Sequence, residues 1–179
     1  MSFKAINPAN GNVLRVVDAW TEKQLDAALE QAAAAARDWA RQPLEARCRL
    51  LARAGEVLRS RKEELARTVT EEMGKLIQEA RGEVEKCAWV CDYYADNAAA
   101  FLADEPIETD AARSLVAYQP LGTVLAVMPW NFPLWQVMRF AAPALAAGNT
   151  GLLKHASNVP RCAQLLEEVF LEAGVPTGV

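Results

Sequence analysis

The chain has 179 residues, enough to bury a sizeable core in one or two domains, and its 52% hydrophobic and 23% charged content is that of a soluble globular protein. A net charge of −4 argues against nucleic acid as a partner, because phosphate binding needs a basic face. No apolar run approaches the roughly 18–20 residues of a membrane span, so no membrane partner is expected, and the opening Met-Ser-Phe-Lys lacks a signal peptide's apolar core, which points to the cytoplasm.

Residues 3–6 and 13–17 flank Asn10-Gly11, a dipeptide suited to the positive φ values of a tight hairpin. Thr21 and Gln24 then match a capping box, and Leu25, Ala28, Leu29, Ala32 and Ala36 give the following helix one apolar face. Pro43 opens a second helix with Leu50, Leu51, Ala54, Val57 and Leu58 inward. A third carries Leu65 and Val69 and stops at Gly74. Residues 77–101 read as one long helix whose stripe of Val84, Cys87, Ala88, Cys91, Tyr94, Ala95 and Ala98 faces a core. Pro106 and the acidic stretch 104–110 break the helical pattern, and residues 114–119 read as a strand.

Residues 124–128 form a short apolar run between Gly122 and Pro129, too short for a comfortable helix. It reads as a strand buried on both faces, as parallel strands are. Asn131 suits the cap of the helix that follows, Pro133 is tolerated near its first turn, and Gly148 suits the left-handed position that closes it. Residues 150–154 are a second short apolar run ending in Lys154. Strand, helix and strand in roughly 30 residues is the size of a βαβ crossover. A ligand should lie beyond the carboxyl ends of those strands, where Trp130, Asn131 and Lys154 fall. Ser157 or Asn158 starts a last helix, with Pro160 in its first turn, Cys162, Leu165, Leu166, Val169, Phe170 and Ala173 inward, and Gly174 at its end. The fold class is therefore α/β, an N-terminal helical segment followed by the first β-α-β-α of a Rossmann-like parallel sheet.

The four cysteines form no metal-type pair, and Cys87 and Cys91 share one helical face as small buried thiols in a reduced compartment would. With His155 as the only histidine, a metal site or a His-Cys dyad has little to draw on, and no metal is expected. Asn131 has two readings: its side-chain oxygen can cap a helix, and its NH₂ group can donate to a developing oxyanion. Lys154 reads as a surface lysine at a strand end. Arg139, among Val137, Met138, Phe140 and Ala141, either reaches solvent along its stem or needs an anionic or carbonyl partner.

Pro129-Trp130-Asn131-Phe132-Pro133, followed by Pro143-Ala144-Leu145-Ala146-Ala147-Gly148-Asn149 and then Lys154, resembles the NAD(P)-dependent aldehyde dehydrogenase superfamily. Leu152-Leu153-Lys154-His155-Ala156 and Arg139 are similar to its succinate-semialdehyde dehydrogenases. The resemblance covers essentially the whole chain, but members run to more than twice its length. It implies an incomplete fold: residues 1–105 as the hairpin and helical part of the cofactor-binding domain, 106–120 as a linker and oligomerisation strand, and 121–179 as the first half of the NAD(P)-binding sheet. The catalytic domain would be absent.

The implied reaction is oxidation of an aldehyde to a carboxylic acid, above all succinate semialdehyde to succinate, with NADP or NAD as cofactor. The resemblance makes Asn131 the oxyanion residue and gives the cofactor contacts to Met128, Pro129, Trp130, Asn131, Lys154 and Ser157. Lys154 would meet the adenosine ribose, and Ser157, where many NAD-using members carry glutamate, would permit a 2′-phosphate. Arg139 would grip the distal carboxylate of the substrate. His155, where many members have proline, reads as a loop residue near the adenine with no catalytic duty. A small-molecule aldehyde and, in the full-length form, further copies of the same chain are the implied partners. The nucleophilic cysteine and general-base glutamate would lie downstream, so the chain alone is expected to be inactive. The alternative is a non-catalytic module that binds nucleotide weakly or associates with a full-length partner.

Overall fold

The computed structural model describes residues 2–179. Its N-terminus is an antiparallel hairpin of β1 (Ser2–Ile6) and β2 (Val13–Asp18), and Gly11 in the turn takes the expected positive φ. Helix α1 (Glu22–Arg41) opens on the capping box, with the Thr21 hydroxyl accepting from Gln24 N–H and the Gln24 side chain accepting from Thr21 N–H. Its apolar face is only half used. Ala32, Ala36 and Trp39 are buried, whereas Leu25 and Leu29 are exposed, because only the second half of the helix lies against the sheet.

Helices α2 (Leu44–Ser60), α3 (Lys62–Met73) and α4 (Ile77–Phe101) match the apolar periodicity. Leu51, Ala54 and Leu58 meet Leu65, Val69, Val84, Cys87, Ala88 and Cys91 in one fully buried cluster. Close approach of α2 and α4 depends on Gly55, where a Cβ would stand 2.8 Å from Asp92 Oδ1 and 3.2 Å from the Ala88 carbonyl. Gly74, in the left-handed region, ends α3. The strand expected over 114–119 shrinks to two paired residues: β3 (Glu105–Pro106) and β4 (Leu115–Val116) form a minimal antiparallel ladder.

The last third is β5 (Thr123–Met128), α5 (Trp135–Ala146), β6 (Thr150–His155) and α6 (Pro160–Glu172), with β5 and β6 parallel and in register. Gly148 closes α5, and Asn149 N–H reaches back to the Ala144 carbonyl. The expectation that β5 is buried on both faces is corrected. Ala126 packs inward, but Leu125 and Val127 on the opposite face are each 65% exposed, since α1 covers only the start of that face.

Two helix starts are also corrected. Asn131 does not cap α5; Leu134 is its N-cap residue, and the side chain that serves it is Glu83 of α4, whose Oε1 accepts from Leu134 N–H (2.8 Å) and Trp135 N–H (3.0 Å). Neither Ser157 nor Asn158 caps α6. Val159 is its N-cap residue, and the carboxylate of Glu72 on α3 accepts from Arg161 N–H (2.9 Å) and Cys162 N–H (3.0 Å). Buried helix ends must be satisfied by something, and here the donors of one half of the chain are met by carboxylates from the other. Among the described residues, Thr70 Oγ1 is the single buried side-chain polar atom without a partner.

Replacing either glutamate by alanine leaves two backbone donors without acceptors. Glu72→Ala is expected to lower unfolding free energy by about 1–3 kcal/mol, and Glu83→Ala, which also strands buried Lys75, by about 3–5 kcal/mol. Urea denaturation followed by circular dichroism checks both, and a smaller loss in Glu83→Ala than in Glu72→Ala would contradict this ranking.

Candidate functional site

The register pairs Val127 with Lys154 and Met128 with His155, so both strands end at one edge. Neighbouring residues on parallel strands point to the same face, and successive residues to opposite faces. Lys154 thus lies on the face of Val127 and Leu125, the one α1 leaves open. His155 lies on the other face with Met128, toward α5.

The turn from 129 to 134 leaves this edge. Pro129, Trp130 and Asn131 are exposed, Phe132 is exposed beside Lys75, and Pro133 and Leu134 are buried. The Asn131 side chain forms no hydrogen bond with any other described residue, so its amide donors are free for a ligand. Lys154 is exposed and unpaired among the described residues, and Ser157 is exposed in the turn after β6. Met128 and Lys154 thus stand at the carboxyl ends of the two strands, and Pro129, Asn131 and Ser157 lie in the turns that follow them. Trp130 lines an open cavity of about 330 Å³ with Lys4, Ile6, Pro8 and Asn158.

Arg139 is set apart along α5, one turn beyond Trp135. It is exposed and forms no ion pair among the described residues. The nearby rings carry cations: Lys86 Nζ is 4.0 Å from the Trp135 centroid, and Lys75 Nζ is 3.7 Å from that of Phe132.

Behind the turn are residues whose importance the sequence reading missed. Glu83 and Lys75 form a buried ion pair, with side chains 1% and 7% exposed, and Glu83 also holds the two N–H groups at the start of α5. His155 is not a loop residue. It ends β6, half buried, with Nε2 2.8 Å from the Pro133 carbonyl and Nδ1 2.8 Å from Ala156 N. A signal for Glu83 was available: it stands three residues after Ala80 and four before Cys87, a charge within a core stripe.

None of the cysteines offers a thiolate at neutral pH. Burial pushes all four thiols up, Cys91 to about 12 and Cys87 and Cys162 strongly; Cys48 is least buried. Among the described residues no three His, Cys, Asp or Glu side chains cluster as metal ligands, and no helix is long and apolar enough to cross a membrane.

The whole chain, residues 1–179, matches the aldehyde dehydrogenase family. It is 51% identical over 178 residues to a chain described as a probable succinate-semialdehyde dehydrogenase, NADP(+), from Synechocystis sp., covering 99% of this chain and 39% of that protein. It is 49% identical over 175 residues to the succinate semialdehyde dehydrogenase Sad, NAD(P)+, of Escherichia coli, covering 98% of this chain and 38% of that one. The solved structure of succinic semialdehyde dehydrogenase from Streptococcus pyogenes in complex with NADP+ superimposes with a TM-score of 0.95 at 42% identity, over 98% of this chain and 39% of the other. This chain thus spans about two fifths of the length of the curated relatives it matches.

The imidazole of His155 is held below its ordinary range, mainly by burial and also by Lys154, against the opposing pull of the Pro133 carbonyl and Glu83. A histidine with a lowered folded pKa contributes stability that is present above its unfolded pKa, about 6.5, and lost as pH falls through the folded value. The stability of the chain relative to His155→Gln is therefore expected to decline as pH drops below that range, measured by urea titrations at several pH values. A gap independent of pH would contradict it.

Proposed function

Since the chain belongs to the aldehyde dehydrogenase family, we propose that it supplies the N-terminal part of an NAD(P)-dependent succinate-semialdehyde dehydrogenase, with NADP or NAD as cofactor. The observation that carries this reading is the free Asn131 amide, on a braced turn at the carboxyl edge of a parallel sheet, beside exposed Lys154 and Ser157. Those residues fit a nucleotide's ribose end. Lys154 can donate to ribose hydroxyls or to a 2′-phosphate, and no carboxylate at Ser157 repels that phosphate. The pyrophosphate must be bound elsewhere, because the first N–H groups of α5 and α6 are already taken by Glu83 and Glu72. When bound, the cofactor accepts the hydride.

The part of this chain in the chemistry is electrostatic. As a nucleophile adds to an aldehyde, charge develops on the carbonyl oxygen, and the Asn131 NH₂ donates to it. Removing such a donor costs about 2.7–4 kcal/mol in the barrier. Arg139, exposed and without an ion pair, is suited to a bidentate grip on the carboxylate at the substrate's far end. The nucleophile cannot be one of the four buried or raised thiols, so this polypeptide alone is inactive on this reading.

The test joins this chain to the remaining part of the Escherichia coli relative and follows NADPH formation. Succinate semialdehyde should be oxidised in preference to an uncharged aldehyde of equal length. Asn131→Ala should lower kcat about 10²–10³-fold, and Arg139→Ala should raise KM for the semialdehyde alone. Equal activity on both aldehydes, or full activity of Asn131→Ala, refutes the assignment.

The second reading, association with a partner, is favoured by one observation: apolar side chains stand exposed on both elements of this side, Leu25 and Leu29 on α1 and Leu125 and Val127 on β5. The isolated chain is expected to sediment as a concentration-dependent oligomer. A compact monomer at all concentrations removes this reading.

A further inference from the structure

We propose that His155 is a positioning residue that fastens the Asn131 turn to the end of β6, and that only its neutral, Nε2-protonated form makes both of the ring's hydrogen bonds, one to the turn and one that sets the ring on β6. This deepens the function proposed above and rests on its assignment of Asn131 to the cleft. The geometry selects the tautomer. Ala156 N–H points at Nδ1, 2.8 Å away, so Nδ1 must be a lone-pair acceptor; the Pro133 carbonyl, 2.8 Å from Nε2, can only accept, so Nε2 must carry the proton. An imidazolium would keep the Nε2–H on the Pro133 carbonyl but set one N–H against another at Nδ1, lose the bond from Ala156 and turn the ring away from its place on β6.

The turn between Met128 and Trp135 is held from behind at three places. His155 binds the Pro133 carbonyl, Glu83 binds the Leu134 and Trp135 N–H groups, and Lys75 stands over the Phe132 ring. Asn131 itself has no bond to the rest of the described chain, so its place is set through its neighbours. Glu83 is paired with buried Lys75 and is bonded twice to backbone, and His155 is the one attachment of the turn made by an imidazole, which burial holds below its ordinary range. The charged groups facing the ring are Lys154 from β6, and from α4 Glu83 with its partner Lys75; Met128 on β5 and residues 129–133 carry no charge. A proline or any residue lacking a side-chain donor at 155 would leave the Pro133 carbonyl without this contact.

With a single histidine, nuclear magnetic resonance of the 179-residue chain reads the proposal directly. Long-range proton–nitrogen correlations should show the neutral ring protonated at Nε2. The Asn131 side-chain amide signals should move with pH along a curve sharing the midpoint of the imidazole. His155→Gln, which keeps a donor but does not titrate, should flatten that curve near the wild-type high-pH position, and His155→Ala should displace the signals at every pH while backbone signals of α2 to α4 stay in place. A neutral ring protonated at Nδ1, Asn131 signals indifferent to the His155 titration, or the same curve in His155→Gln would each overturn it. Adding NADP+ separates the two readings: unmoved Asn131 and Lys154 signals would sink the cofactor-cleft assignment, and the pH curve decides the role of His155 either way.

Discussion

The helices that build the site have no N-terminal cap of their own. Leu134 and Val159 precede α5 and α6, and an aliphatic side chain cannot accept a hydrogen bond. Glu83 and Glu72 do so from the helical half of the chain, each with two backbone donors. A carboxylate at a helix N-terminus also meets the positive end of the helix dipole, so the same contact satisfies donors and charge together. The sheet half of the molecule is oriented by these two acids.

At its far end α5 is treated with the opposite sign. Arg47 of α2, itself buried, donates through Nε to the Ala146 carbonyl at 3.0 Å, and Trp39 of α1 donates to the Leu145 carbonyl at 3.1 Å. A cation and an indole at the C-terminus, and a carboxylate at the N-terminus, hold the helix against both rotation and sliding. Burial lowers the pKa of Arg47, yet a guanidinium remains charged under any ordinary condition. The turn bearing Asn131 enters this fixed helix at one end and meets His155 of β6 on its way, which is why an exposed turn can hold one shape.

The two faces of the sheet have different fates. Toward α5 the strands are packed, with Ala126 buried and the Phe140 ring over Gly151. Toward α1 it is unfinished, with Leu125 and Val127 bare beside Lys154. An uncovered apolar face next to a candidate nucleotide site is what a sheet of only two strands must show, since each face of a parallel strand needs neighbours to close it.

Much of this was legible in local sequence, because the forces that decide it are local. The Asn10-Gly11 hairpin, the Thr21 and Gln24 box, the stops at Gly74, Gly148 and Gly174, and the span of α4 each follow from propensity, capping or a 3.6-residue period. The motif through residues 129–133 and Lys154 pointed to the family and to one sheet edge. What could not be read there were the partners across the chain. Glu83 lies 51 residues from Leu134, Glu72 lies 89 from Arg161, and His155 lies 22 from Pro133. A pattern of apolar residues says which face turns inward but not which backbone donors wait beneath it. Caps for α5 and α6, the tautomer of His155 and the bare face of β5 were therefore decided by tertiary structure, where hydrogen bonds are made between whatever groups packing has brought together.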